Sequence, residues 1–251
     1  MDAPEATTQE LAEAERLARR AVELGRDDAV ALYTAGFTLA RVVGDLDAGA
    51  NFIDEALAID PNSAGGWYYG GWVKILLGEP EQAIAYQARS MRLSPLDPLR
   101  GLMRAATGFA HLAAGRYDEA VSWAQKACSD QPNFPVAWRL LASSSALSGR
   151  LDQAQKALAR ALQLDPRLEM STLSHYATLR RAEDFDRYAE GLRLAGLSRR
   201  DLWGSCPAGR CDRARGKAEI GLFAAAASPA STGMQCSSSQ IFFRSFKCRA
   251  E

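Results

Sequence analysis

The side chains that could perform chemistry are few in this sequence, and their spacing is unfavourable for it. The two histidines, His111 and His175, have no second His, Cys or carboxylate at the spacing that places metal ligands on one face of a helix. Cys128 has no neighbouring His or Lys that would activate its thiol. We therefore predict structural or exposed histidines, an inert thiol and no catalytic residue.

The C-terminal segment contains the other candidates for a reactive or metal-binding site. Residues 204–211 have the two-glycine spacing of a phosphate-binding loop, but Arg210 replaces the lysine, Cys211 replaces the Ser/Thr, and no strand precedes the loop. The spacing of the four C-terminal cysteines matches no compact zinc finger, and five cysteines in all argue against a disulfide scaffold. These four are Cys206, Cys211, Cys236 and Cys248. The sequence thus predicts no metal, no cofactor and no enzymatic activity.

The composition indicates a folded chain without a charged or membrane-bound partner. Of 251 residues, 47% are hydrophobic and 24% are charged, which is enough apolar material for a core. Thirty basic and thirty acidic residues balance, so nucleic acid and anionic membranes are not expected partners. No apolar run approaches about 20 residues, and the acidic N-terminus differs from a signal peptide. We expect a cytoplasmic protein.

A period of about 34 residues runs through the body of the chain. Prolines and glycines recur in step, each set with successive spacings of 34, 37 and 34 residues. The prolines are Pro61, Pro95, Pro132 and Pro166, and the glycines are Gly44, Gly78, Gly115 and Gly149. Between these markers the apolar residues follow the helical 3.6-residue period, as in residues 154–164. Each unit is therefore predicted to be a helix, a glycine turn, a second helix and a proline-marked break, in an all-α solenoid.

The repeated residues resemble those of the tetratricopeptide repeat family. The shared features are the period, the small residue in the middle of each first helix, Trp67 and Trp138 four residues before Gly71 and Ala142, and the closing proline. The resemblance implies a superhelix of antiparallel helix pairs, with four units at residues 29–61, 62–97, 98–132 and 133–166. Residues 1–28 would supply the second helix of a truncated unit, and residues 167–202 would form capping helices.

A finer resemblance concerns three segments, at residues 44–48, 93–98 and 188–197. Their sequences are similar to the C-terminal repeat region of alphaproteobacterial adenylate cyclase-type and winged-helix regulatory proteins. This implies a bacterial signalling context and an alternative function, that of a detached regulatory or sensory module whose partner is a cyclase or DNA-binding domain of a parent protein. It implies no catalytic residue, because neither the catalytic nor the DNA-binding domain is present.

In a solenoid of this kind the first helices line a concave groove, which is the default surface for a partner. The helix face that points away from the second helices carries the predicted groove residues. They are Tyr33, Phe37, Tyr68, Trp72, Phe109 and Arg139. Such a groove favours a protein or peptide segment that is apolar or helical over a carboxylate, so the predicted function is a non-catalytic interaction scaffold. The same aromatic residues are equally compatible with packing between first helices or with cover by another part of the chain.

Residues 203–251 differ from the rest of the chain. They are rich in Ala, Ser and Cys, have a net positive charge, and lack the repeat period. Two interpretations stay open for this segment: a low-order extension, or a non-native tail produced by a frameshift near residue 200.

Overall fold

The computed structural model describes residues 8–170, 173 and 179–197, and all regular secondary structure within these residues is helical. His175, the four C-terminal cysteines, and the predictions for residues 198–202 and 203–251 lie outside this part. The helices are α1 Thr8–Leu24, α2 Ala29–Thr38 with a π-helical extension Leu39–Val43, α3 Leu46–Ile59, α4 Ala64–Leu76, α5 Pro80–Leu93, α6 Arg100–Ala113, α7 Tyr117–Asp130, α8 Pro135–Leu147, α9 Leu151–Leu164 and α10 Ala182–Leu194. The all-α solenoid predicted from the period is confirmed.

The helices form consecutive pairs, α2 with α3, α4 with α5, α6 with α7 and α8 with α9. The turn inside each pair contains one of the periodic glycines. All four have positive φ angles, from 74° to 87°. This left-handed conformation ends the first helix and strains any residue that carries a Cβ, which explains why glycine recurs at the period.

Small residues let the helices of a pair approach closely. A Cβ built on Gly36 of α2 would lie 2.7 Å from the backbone oxygen of Gly49 in α3. In the last pair the same role falls to Ala142 of α8, which is completely buried. The predicted interface of small residues is therefore the place where the first and second helices touch.

The two aligned tryptophans make equivalent contacts at the breaks between pairs. Trp67 Nε1 donates to the carbonyl oxygen of Pro61 at 2.8 Å, and Trp138 Nε1 donates to that of Pro132 at 2.9 Å. Each indole thereby ties a first helix to the proline turn before it, which accounts for the recurrence of tryptophan at this position.

The N-terminal helix α1 packs on α2 and its π-helical extension through a small cluster around Ala18, Ala35 and Leu39. Leu24, in its last turn, is 58% exposed. This helix occupies the position that a second helix of a preceding unit would take.

The C-terminal helix α10 is placed differently from a helix that continues the stack. The sequence predicts helices near residues 168–179 and 185–197 that close the far end of the array, and most of the first of these lies outside the described residues. In the structure α10 packs along the first helices α8 and α6. It therefore lies across the groove side of the array, with its buried apolar residues against that surface.

Candidate functional site: the inner face of the first helices

The first helices α2, α4, α6 and α8 pack side by side in chain order. We call the surface that they turn away from the second helices the inner face. Its N-terminal part is aromatic. Tyr69 of α4 stacks on Tyr33 of α2, with ring centroids 5.5 Å apart, and packs against Phe37 at 4.8 Å. These contacts join the first two repeats.

The aromatic row continues into the third repeat. The rings of Trp72 in α4 and Phe109 in α6 lie 5.8 Å apart, at an angle of 51°. Tilted pairs at such distances stabilise a contact beyond the burial of their area. Five of the six predicted groove residues thus lie in one row of rings, together with Tyr69. Sequence reasoning missed Tyr69 because its neighbour Tyr68 was assigned to this face.

The members of this row differ in how accessible they are. Tyr68 is 3% exposed and Trp72 is 7% exposed, so both rings are already covered. Tyr33 is only half-buried, and the burial it has raises the pKa of its phenol. Among the predicted residues, Tyr33 and Phe109 are therefore the ones that keep part of their surface open.

Arg139 has a different environment from the one that the sequence suggested. Its side chain is 2% exposed, and its Nη1 lies 3.7 Å from Oδ2 of Asp165, which ends α9 and is 5% exposed. This buried ion pair joins α8 to the end of its partner helix. Arg139 is thus held inside the fourth repeat and is not open to a partner in the predicted groove.

The fourth repeat is covered by α10. Ser143 Oγ of α8 donates to the backbone oxygen of Tyr188 in α10 at 2.9 Å. The ring of Tyr188 lies 5.4 Å from the ring of Phe109, and Leu192, one turn further along α10, is completely buried. An amphipathic helix of the chain itself therefore occupies the inner face over α6 and α8.

The start of α10 is held by polar contacts at the ends of earlier first helices. The backbone N–H of Arg180 donates to the Leu76 oxygen at 2.8 Å, at the end of α4. Arg187 Nη1 donates to the Ala113 oxygen at 2.7 Å, at the end of α6. A cation at a helix C-terminus meets unpaired carbonyls and the negative end of the helix dipole, so this contact is favourable.

Burial dominates the titration of His111 and Cys128, two of the side chains that the sequence singles out. Burial, together with the charge of Arg116, lowers the pKa of His111, and burial raises the pKa of the Cys128 thiol to about 12. Among the residues that the structure describes, no group of three His, Cys, Asp or Glu side chains could hold a metal ion. Of the described helices, none is long and apolar enough to cross a membrane.

Comparison with known proteins supports the same architecture. Residues 111–181 match the family described as tetratricopeptide repeat. No curated protein matches the sequence.

Solved structures match a larger part of the chain. PilW, a widely conserved type IV pilus biogenesis factor, is 19% identical over 74% of this chain and 82% of its own, with a TM-score of 0.59. TTC0263, a thermophilic tetratricopeptide repeat protein of Thermus thermophilus, is 21% identical over 74% of this chain and 92% of its own, with a TM-score of 0.55.

These likenesses establish the fold. They support the tetratricopeptide part of the predicted resemblance and give no support to its adenylate cyclase or winged-helix part. Residues 111–181 therefore match a tetratricopeptide repeat model, and the described helix pairs are arranged as in the helical solenoids of tetratricopeptide repeat proteins.

Proposed function

We propose that the inner face binds a short apolar or helical segment of a partner protein. The function of the chain is then to hold this partner as a scaffold. The observation that carries the proposal is α10 itself. Its amphipathic helix already lies on α6 and α8, through Tyr188 against Phe109 and a hydrogen bond from Ser143. The inner face thus has the shape and the apolar character that accept a helix.

The part of the inner face on α2 and α4 is the proposed point of entry. Tyr33 and Tyr69 stack there with half-buried rings, and Val30 on the first turn of α2 is 50% exposed. Half-exposed aromatic side chains are frequent hot spots, because they bury a large area at a small entropic cost. The row Tyr33, Phe37, Tyr68, Trp72 offers no cation, so an apolar partner segment suits it better than a C-terminal carboxylate.

The test compares one aromatic residue of the inner face with one on a second helix. Partners captured by the full chain are identified and purified, and their affinity is titrated against Tyr33→Ala and Trp123→Ala. Trp123 lies on α7, where Lys126 covers its ring with Nζ 4.5 Å from the centroid. We expect Tyr33→Ala to weaken binding about tenfold or more, a loss of at least ~1.4 kcal/mol, with Trp123→Ala unchanged.

Circular dichroism of both variants must show the helical content of the parent chain. Equal affinities of Tyr33→Ala and the parent, or an equal loss in both variants, would place the partner elsewhere and overturn the proposal.

A further inference from the structure

We propose that α10 is an internal occupant of the inner face and that a partner helix of the same pattern displaces it. This inference rests on the proposed function and names the chemistry of the partner. The pattern is an aromatic residue, a glycine three positions later and a leucine directly after it, as in Tyr188, Gly191 and Leu192.

Gly191 is the residue that determines what can lie on α8. A Cβ built on it would lie 2.6 Å from the backbone oxygen of Ser143 and 2.9 Å from its Cα. Backbone atoms inside a packed helix cannot move aside, so any larger residue would push the incoming helix away from α8. A helix that replaces α10 in the same way must therefore have glycine at this position.

The aromatic and leucine positions follow from helical spacing. Tyr188 is 6% exposed and Leu192 is completely buried, four residues apart on one face of α10. Ser143 Oγ donates to the backbone oxygen of Tyr188. Every residue has such an oxygen, so any helix that packs equally close to α8 can accept this hydrogen bond. Specificity for the occupant thus depends on the glycine and on the two apolar side chains that flank it.

Two features make α10 suitable for exchange. α9 ends at Leu164 and α10 begins at Ala182, so α10 is tethered by a longer stretch of sequence than any other two successive helices of the described chain. One of its anchors is the 2.7 Å ion pair between Arg180 and Asp47, whose side chains are 45% and 77% exposed. Exposed pairs of this kind contribute little to stability, so this anchor is easily released.

Tethering gives α10 an advantage that a partner must overcome. A tethered segment acts at an effective concentration in the millimolar range, so a free helix of equal intrinsic affinity competes poorly. Release of α10 should therefore raise the apparent affinity of the array for a free helix.

The experiment uses a fluorescent peptide of residues 182–197 as the probe and the full chain as the acceptor. In the acceptor, Gly191→Leu expels α10, while Asp186→Leu adds the same side chain at an exposed position of α10 and serves as the control. We expect Gly191→Leu to bind the peptide at least about tenfold more tightly than the parent and Asp186→Leu do. A peptide that itself carries Gly191→Leu should lose the interaction.

A second variant tests the same inference in case the Gly191→Leu chain does not fold. Arg187→Ala/Tyr188→Ala removes the bond to Ala113 and the ring on Phe109 without inserting atoms, and it should also bind the peptide more tightly. If both variants keep the parent's helical content and neither binds more tightly, the inference is overturned. Equal binding of the parent and Gly191→Leu peptides would also overturn it.

The peptide assay needs no natural partner, so it fails independently of the proposed function. If the peptide binds as expected while no Tyr33-dependent partner is found, the proposed function fails and the exchange of α10 stands.

Discussion

The ring of Tyr188 in α10 lies 5.4 Å from the ring of Phe109 in α6, tilted by 59°. Through this pair the row of rings from Tyr33 to Phe109 gains one more ring, contributed by a helix outside the repeats. The contact links the inner face of the array to the position of α10. It explains why the fourth repeat offers a covered surface and the first two repeats a more open one.

Arg139 should behave as a structural residue of the fourth repeat. We expect Arg139→Met to lower the free energy of unfolding by about 3 kcal/mol, because Asp165 would remain buried without its cation. Urea denaturation monitored by circular dichroism measures this change.

The matched control is Arg150→Met, which removes an exposed 2.8 Å pair with Asp118. It should cost less than about 1 kcal/mol. A loss for Arg139→Met no larger than that of the control would show that the buried pair does not stabilise the repeat.

Gly36 should tolerate no side chain. We expect Gly36→Ala to destabilise the chain by about 2 kcal/mol, since its Cβ would lie 2.7 Å from the Gly49 oxygen and 3.1 Å from Ile53 Cγ1. Gly101→Ala is the comparison, because its Cβ would first meet side-chain carbons, Gln131 Cγ at 2.9 Å and Asp130 Cβ at 3.2 Å, and not a backbone oxygen of a facing helix.

The Gly101→Ala variant should change the free energy of unfolding by less than about 1 kcal/mol. Thermal and urea unfolding of the two variants provide the measurement. A Gly36→Ala chain as stable as the parent would mean that the α2–α3 pair can separate at no cost.

Cys128 should be unreactive until the chain unfolds. It is 6% exposed, and burial raises the pKa of its thiol to about 12, whereas an unfolded cysteine has a pKa of about 8.5. At pH 8 we expect iodoacetamide to alkylate Cys128 at least about a hundredfold more slowly in the native chain than in urea. Mass spectrometry of the peptide that contains Cys128 separates it from the other cysteines.

The same shift gives a pH dependence with a definite sign. Because the folded-state pKa is raised, the contribution of this thiol to stability is complete below about pH 8.5 and is lost as the pH rises towards 12. Cys128→Ala should therefore show a smaller loss of stability over this range than the parent does. Identical alkaline denaturation of the two chains would contradict the predicted coupling.

Much of the fold could be predicted from the sequence because the repeat contacts are local. The turns at Gly44, Gly78, Gly115 and Gly149 require positive φ angles, and the breaks require proline, so both leave a periodic mark. The aromatic character of the inner face was also predictable, since helical spacing puts Tyr33, Phe37 and Trp72 on one side of their helices. Tyr69 was missed because spacing alone does not say which of two adjacent tyrosines bridges two repeats.

The sequence by itself determined that the chain stacks helix pairs and that their first helices carry aromatic side chains, since each pair is specified by contacts within about one period. Only the tertiary structure decided that Arg139 is buried against Asp165 and that α10 lies on α6 and α8. The contacts that place α10 join residues 45 apart, from Ser143 to Tyr188, and 133 apart, from Asp47 to Arg180. Such contacts depend on the complementary shapes of two finished surfaces, and a repeat period of 34 residues has no information about them.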